Sequence, residues 1–337
     1  MNAMKSNIIK AFAILGKQLS EASTNEILIK ASELSTKENT WFNKQSIDYA
    51  LKAVSSWLKE DVLIEFTDKY EFNNNPKRVA VICAGNIPMV GFHDMMCVVL
   101  SGNIFYGKLS HSDKYLLPAI ADILIQIEPL IKDRIIFEED TLKDFDAVIA
   151  TGSNNTSRYF DYYFKKYPNI IRHSRSSIAV LDNSSIDYSL LISDILTHKG
   201  LGCRNVTKIY IPNDFDFSPL IKASQEYSYL LDHNKYRNNY DYHKAIFIIN
   251  NISFIDTGVL LLLEAKELFS AVSVLNYEFY DNIQTLTDKI ELEKENIQCV
   301  VSNISSIEKA IPIGKAQEPS IDDFADNIDT MLFLESL

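Results

Sequence analysis

Two hydrophobic periods divide the chain. Over residues 1 to about 65 apolar side chains recur at i, i+3 and i+4, which predicts a helical region opening with the amphipathic segment MNAMKSNIIKAFAILGKQLSEAS. From Arg78 onward the pattern changes to short β-branched and apolar runs, RVAVICAG, NIFYGKL, DAVIATG, SIAVLD, NVTKIYIP and KAIFIIN, which predict strands. Helical patterns such as DKYLLPAIADILIQIEPL and SIDYSLLISDILTHKG separate them, and the Asn-rich EFNNNP at Glu71 to Pro76 reads as a connecting loop. Strand alternating with helix implies βαβ units, a largely parallel sheet and ligands at the carboxyl ends of its strands. The expected crevice lies near Gly85, Lys108 and Gly152.

Length and charge narrow the partners. The 337 residues correspond to two domains at roughly 150 residues each. A net charge of −12 without a basic block gives no electrostatic grip on a phosphate backbone, so nucleic acid is not an expected partner. The longest uninterrupted apolar stretches, such as Met95 to Leu100, and shorter ones such as Val259 to Leu263, fall far short of the ~18 residues of a membrane span. The N-terminal segment is polar again by Lys17 without a small-residue cleavage site, so no secretory signal is expected. Four cysteines with no CxxC spacing point to reduced thiols and a cytoplasmic protein. The six histidines show no paired spacing with Cys or Asp, and no metal site is expected.

GxGxxG after a strand, GxxxxGK[ST], GxSxG and HExxH are all absent. The glycines are a better guide. There are only 10, against a usual ~7% of residues, and seven of them lie between Gly85 and Gly202. Gly85-Asn86-Ile87-Pro88 follows the first strand, where Asn86 either donates to a developing oxyanion or satisfies its own turn. Gly107-Lys108-Leu109-Ser110 ends the next strand, with Lys108 placed for a ribose or phosphate or else a solvated surface lysine. Thr151-Gly152-Ser153 closes a third strand before a helix, an arrangement that presents N–H groups to a pyrophosphate or simply N-caps the helix. Cys203 stands in Gly200-Leu201-Gly202-Cys203-Arg204, where glycines allow close substrate approach and Arg204 adds positive charge that favours a thiolate. Cys83, Cys97 and Cys299 sit inside apolar runs and read as buried small hydrophobes.

A strand-ending Asn, then Lys, then TGS, then a glycine-flanked Cys resembles the order found in the aldehyde dehydrogenase superfamily. RHSRSSIAVLDNSS, HKGLGCRNVTKIYIP and GKAQEPSIDDFADNIDTMLFL more closely resemble the LuxC-like acyl-CoA reductases, over roughly residues 75 to 337. The resemblance implies an aldehyde dehydrogenase-like α/β fold of two domains. A Rossmann-like cofactor domain would take residues 1–182 with 306–337 returning to it as a tail and oligomerisation segment, and an α/β catalytic domain residues 183–305. It implies Cys203 as the nucleophile that takes the acyl group as a thioester, and Asn86 as an oxyanion donor together with the Cys203 backbone N–H. Lys108 takes a place on the adenosine ribose, with Ser110 in the same binding segment. Thr151, Gly152 and Ser153 line the cofactor, while Glu267-Leu268-Phe269 resembles the segment that holds the nicotinamide ribose and ring. Spacing alone reads Glu267 as a solvated helix residue.

Two departures from the wider superfamily matter. Hydrolytic members carry a water-activating Glu where this sequence reads Ile170-Ile171-Arg172-His173-Ser174-Arg175-Ser176. Without that base the thioester suits acyl exchange and hydride reduction rather than hydrolysis; His173 is either a proton-transfer group or structural. His111 stands in KLSHSD where NAD-preferring relatives have an acidic residue, so NADPH is the expected cofactor, with NAD as an alternative. The expected activity is NADPH-dependent reduction of an acyl-CoA, or another activated fatty acyl group such as an acyl-carrier substrate, to an aldehyde. A short-chain acyl-CoA or acyl-phosphate reductase, and a cysteine-dependent acyltransferase or thioesterase, are the alternatives. An acyl-activating enzyme is a candidate partner, a homodimer the expected assembly, and the last residues, MLFLESL, a candidate strand for a partner subunit's sheet.

Overall fold

The structure is a computed structural model that describes residues 3–184 and 186–337. The chain forms two compact units, Met1–Ser174 with Ser320–Leu337, and Arg175–Pro319.

The first unit opens with four helices, α1 (Ala3–Ser20), α2 (Glu26–Glu38), α3 (Lys44–Trp57) and α4 (Glu60–Thr67). Local chemistry sets their starts. The Asn25 side chain accepts the Ile27 and Leu28 amides, and Asn43 with Ser46 forms a reciprocal capping box. The predicted stripe of α1 is buried at Ile8, Phe12, Leu15 and Leu19, in one core with Ile47 and Leu51 of α3 and Leu63 and Phe66 of α4. Then follow β1 (Arg78–Ile82), α5 (Phe92–Leu100), β2 (Ile104–Lys108), α6 (Leu116–Ile127), β3 (Ile135–Phe137), β4 (Ala147–Thr151), α7 (Asn154–Phe164) and β5 (Asn169–Arg172). The sheet is parallel in the order β3-β2-β1-β4-β5. The chain moves outward from β1 to β3 and then returns to β1's other side as β4. That reversal is a topological switch point, where strand-end loops diverge and leave a crevice.

The second unit contains β6 (Ser176–Val180), α8 (Tyr188–Leu196), β7 (Val206–Pro212), α9 (Ser218–Ser224), α10 (Asn234–Ile249), β8 (Ile255–Asp256), β9 (Leu261–Glu264), β10 (Val274–Tyr280), α11 (Ile283–Leu292) and β11 (Ile297–Val301). Its sheet runs β11-β6-β7-β10-β9-β8, parallel except for the β8–β9 pair. The tail of the first unit ends in α12 (Thr330–Glu335).

Several expectations change. The units divide after Ser174 and Pro319, not at 182/183 and 305/306. The reason is that β6 hydrogen-bonds to β7 and β11, so SIAVLD belongs to the second sheet. KAIFIIN is not a strand but the end of α10, a helix opened by the His233 ring nitrogen accepting the Tyr236 amide. Tyr236, Tyr240 and Phe247 make its buried helical stripe, while Ile248 and Ile249 face solvent. MLFLESL does not form a strand: Asp329 caps α12, Met331 and Leu334 are buried, and the Leu334 carbonyl accepts the Asn103 amide of the same unit.

Candidate active site

In the first unit the register places Ile82 opposite both Lys108 and Ala150, so the residues after β1, β2 and β4 leave the sheet side by side. Asn86, Lys108, Ser110, Thr151, Gly152 and Ser153 are thereby gathered at one carboxyl edge across the switch point. The loop after β1 lies directly on the loop after β2. Cys83 N–H donates to the Lys108 carbonyl at 3.0 Å, and a Cβ on Gly85 would stand 2.6 Å from Ser110 Oγ, so any larger residue at 85 forces the loops apart. Asn86 occupies the exposed bend of this loop. Lys108 Nζ reaches along the edge and donates to the Glu139 and Asp140 carbonyls after β3.

Ser153 is the N-cap of α7, its Oγ accepting the Thr156 amide. Gly152 precedes it where a Cβ would meet Phe160 and Thr156 at 3.0 and 3.1 Å, so the chain turns closely onto the helix. His173 follows β5 and pairs through Nδ1 with Ser157 Oγ at 2.9 Å, while its amide donates to Asp326 of the tail. His111 is strongly exposed, and a carboxylate does stand near it: Glu38 of α2 lies 3.9 Å from His111 Nδ1 and 3.0 Å from Lys114 Nζ. The hydrogen bond and charge of Lys114 hold the Glu38 carboxyl below the usual range.

The second unit carries Cys203 in a turn between α8 and β7. Cys203 is exposed, whereas Cys83, Cys97 and Cys299 are buried, with burial pushing the Cys83 and Cys97 thiols well up. Asn205, fully buried, braces this turn. Its Oδ1 accepts the Gly202 amide at 2.8 Å, and its Nδ2 donates to the Asp194, Ile195 and Thr197 carbonyls that end α8. Ser177 of β6 donates to the Cys203 carbonyl at 3.0 Å. Before the turn His198, Lys199 and Gly200 all have positive φ, at 53°, 60° and 76°, so the chain coils left-handed into the cysteine. The Arg204 guanidinium donates to the Ala316 carbonyl, while Asp194 accepts the Gly314 and Ala316 amides.

Glu267 is not a helix residue. It lies with Phe269 on an exposed loop after β9, anchored by buried Leu268. Three side chains from the sheet hold that loop's backbone: Lys208 donates to Lys266 O at 2.7 Å, Thr207 to Leu268 O, and Asn276 to both Glu267 O and Phe269 O. Lys208 is a fully buried cation, paired with Glu278 at 2.6 Å. Sequence reasoning missed Asn205, Lys208 and Asn276. The signal was a polar residue interrupting an apolar strand, Lys208 in VTKIYIP above all. Among the described residues no three His, Cys, Asp or Glu side chains gather as for a metal ion, and no helix is long and apolar enough to cross a membrane.

A family model described as acyl-CoA reductase (LuxC) matches residues 29–215, more than half of the chain. The match starts within α2, earlier than the expected residue 75, spans Asn86 to Cys203, and ends before Glu267. Sequence comparison with curated proteins finds no match. Solved structures do match. The P. syringae indole-3-acetaldehyde dehydrogenase in complex with NAD+ and IAA superposes with TM-score 0.65 at 14% identity, over 93% of this chain and 74% of that one. The Mycobacterium tuberculosis aldehyde dehydrogenase complexed with NAD+ gives 0.65 at 13%, over 93% and 76%. The NAD-dependent aldehyde dehydrogenase from Sinorhizobium meliloti gives 0.63 at 11%, over 91% and 71%. At such identities the likeness establishes the aldehyde dehydrogenase-like fold expected from the sequence, and the fold alone.

Proposed function

Because the chain belongs to the acyl-CoA reductase (LuxC) family and is an oxidoreductase of aldehyde and acyl chemistry, we propose that it reduces a fatty acyl-CoA, or a similarly activated acyl group, to an aldehyde with NADPH. The observation that carries this reading is Cys203, the exposed thiol on a turn that Asn205 and Ser177 hold rigid.

In the proposed reaction the Cys203 sulfur attacks the thioester carbonyl of acyl-CoA. The carbonyl π electrons move to oxygen, where Asn86 and the Cys203 N–H stabilise the oxyanion. Collapse expels CoA thiolate, which takes up the proton that the Cys203 thiol gives up on attack, and leaves an acyl-Cys203 thioester. A nicotinamide cofactor, when bound, would supply the hydride that takes the acyl group to the aldehyde level; Cys203 is then released as its bond to carbon breaks and the sulfur keeps the pair.

The residues present fit such a cofactor. The switch-point crevice, the close turn at Gly152 and the capped start of α7 are the features that accept a dinucleotide. Lys108 and Ser110 would face the adenosine ribose, Thr151 to Ser153 the crevice wall, and Glu267 and Phe269 the nicotinamide ribose and ring. Lys114 pairs with the Glu38 carboxylate and offsets its charge, and His111 does not repel a 2′-phosphate as a carboxylate at that position would; NAD is the alternative electron carrier.

The test is loss of NADPH absorbance across acyl-CoA chain lengths, beside Cys203→Ser, with mass spectrometry for a covalent acyl adduct. Turnover and an adduct that both require Cys203 support the reading. An adduct without NADPH oxidation turns it to acyl transfer, and turnover confined to short chains or acyl phosphates replaces the substrate class.

A further inference from the structure

Asp113 is a buried carboxylate in the loop after β2, 6% exposed, and it reaches the loop that carries Asn86. Its Oδ2 accepts the Met89 amide at 2.7 Å. Met89 is itself buried and holds a left-handed backbone, φ 65°, which an unbranched side chain adopts only where surroundings impose it. The Met89 carbonyl then accepts the Phe92 amide at 3.0 Å and starts α5. Asp113 thus holds one end of the Gly85–Met89 turn. The other end is held by Cys83 N–H on the Lys108 carbonyl and by the close seat of Gly85 against Ser110.

The clamp carries a cost that packing alone does not explain. Asp113 Oδ1 is buried without a hydrogen-bond partner among the described residues. Burial pushes the carboxyl up to about 6 against the lowering influence of the Met89 amide. An apolar residue of like volume would fill this site without that penalty. What it would lack is the acceptor that keeps Met89, and therefore the bend at Asn86, in one conformation.

We infer that Asp113 is a positioning residue for the thioester chemistry, fixing the direction of Asn86 by holding the Met89 amide. This rests on the reading of Asn86 as the oxyanion donor, and a misaimed donor costs rate rather than cofactor binding.

The experiment measures Cys203 acylation by acyl-CoA in single turnover, together with nucleotide binding, in Asn86→Ala, Asp113→Asn and Asp113→Leu of the full chain. Asp113→Asn keeps an oxygen for the Met89 amide and should acylate within about threefold of the parent, since only a fraction of a hydrogen bond is lost. Asp113→Leu keeps the volume and removes the acceptor, and should acylate roughly 10- to 100-fold more slowly with nucleotide Kd little changed. Should Asp113→Leu fail to fold, as read by the fluorescence of Trp41 and Trp57, Asp113→Ala carries the same comparison. Slow acylation in Asn86→Ala with parental acylation in Asp113→Leu overturns the inference alone, as does equal impairment of Asp113→Asn and Asp113→Leu. Parental acylation in Asn86→Ala overturns the oxyanion reading, and this inference with it.

Discussion

Arg172→Met is expected to destabilise the first unit severely, and the structure shows why. The guanidinium, 6% exposed, makes two parallel bonds of 2.6 and 2.7 Å to the Asp94 carboxylate, 5% exposed. A third bond of 3.1 Å ties it to Thr330 of the tail. Desolvation opposes the charge, yet Asp94 more than compensates and holds Arg172 above its ordinary value. Met fills much of the same volume but strands the Asp94 carboxylate inside α5. Removing one partner of a buried pair costs about 3–5 kcal/mol. With a urea slope of roughly 2–3 kcal/mol per M for a unit of this size, the midpoint falls by roughly 1–2.5 M.

Both tryptophans of the chain, Trp41 and Trp57, lie in this unit, and Trp57 packs edge-on against His93, 5.4 Å between ring centroids, next to Asp94. Tryptophan fluorescence in urea therefore follows the correct transition. Removing both charges with Asp94→Leu/Arg172→Met should restore more than half of the loss, because the damage comes from the stranded charge and not from the missing attraction. A shift of Arg172→Met below about 0.3 M, or a double variant no more stable than the single, would refute the reasoning, since the desolvation penalty could not then be of the size assigned.

Two further outcomes are expected. Lys208→Met should free the Lys266–Phe269 backbone and raise KM for the nicotinamide nucleotide by roughly tenfold, about 1.4 kcal/mol for one lost charge-assisted bond, with acylation of Cys203 unchanged; Lys208→Arg should recover part of it, and a parental KM in Lys208→Met would remove the bracing argument. Burial pushes the Asp194 carboxyl up to about 6 from 3.8, so the folded state retains a proton there that the unfolded chain has released. The stability this group contributes is greatest below about pH 4 and falls as pH rises through 6, by at most about 3 kcal/mol. Urea unfolding of the second unit followed by far-UV circular dichroism at several pH values should show that slope, and Asp194→Asn should flatten it.

Much of the molecule is written in local pattern. Alternating runs of β-branched residues and helical stripes announce parallel βαβ units, and the scarce glycines mark where strand-end loops approach closely, as Gly85 does against Ser110. The contrast between Cys203 and the three cysteines in apolar runs is legible from the same pattern, because burial follows the polarity of neighbours. KAIFIIN was not legible: an apolar run of that length fits a strand or a helix end, and only the cap at His233 and the stripe from Tyr236 to Phe247 decide between them. The seam after Ser174 is likewise a matter of which strands β6 pairs with, and pairing between distant segments leaves no local trace. The same holds for the side chains that position the site. Asp113 on Met89, Asn205 on the end of α8 and Lys208 on Lys266 join loops through hydrogen bonds whose partners are chosen by tertiary packing, in a dry interior where an unmet polar group is costly.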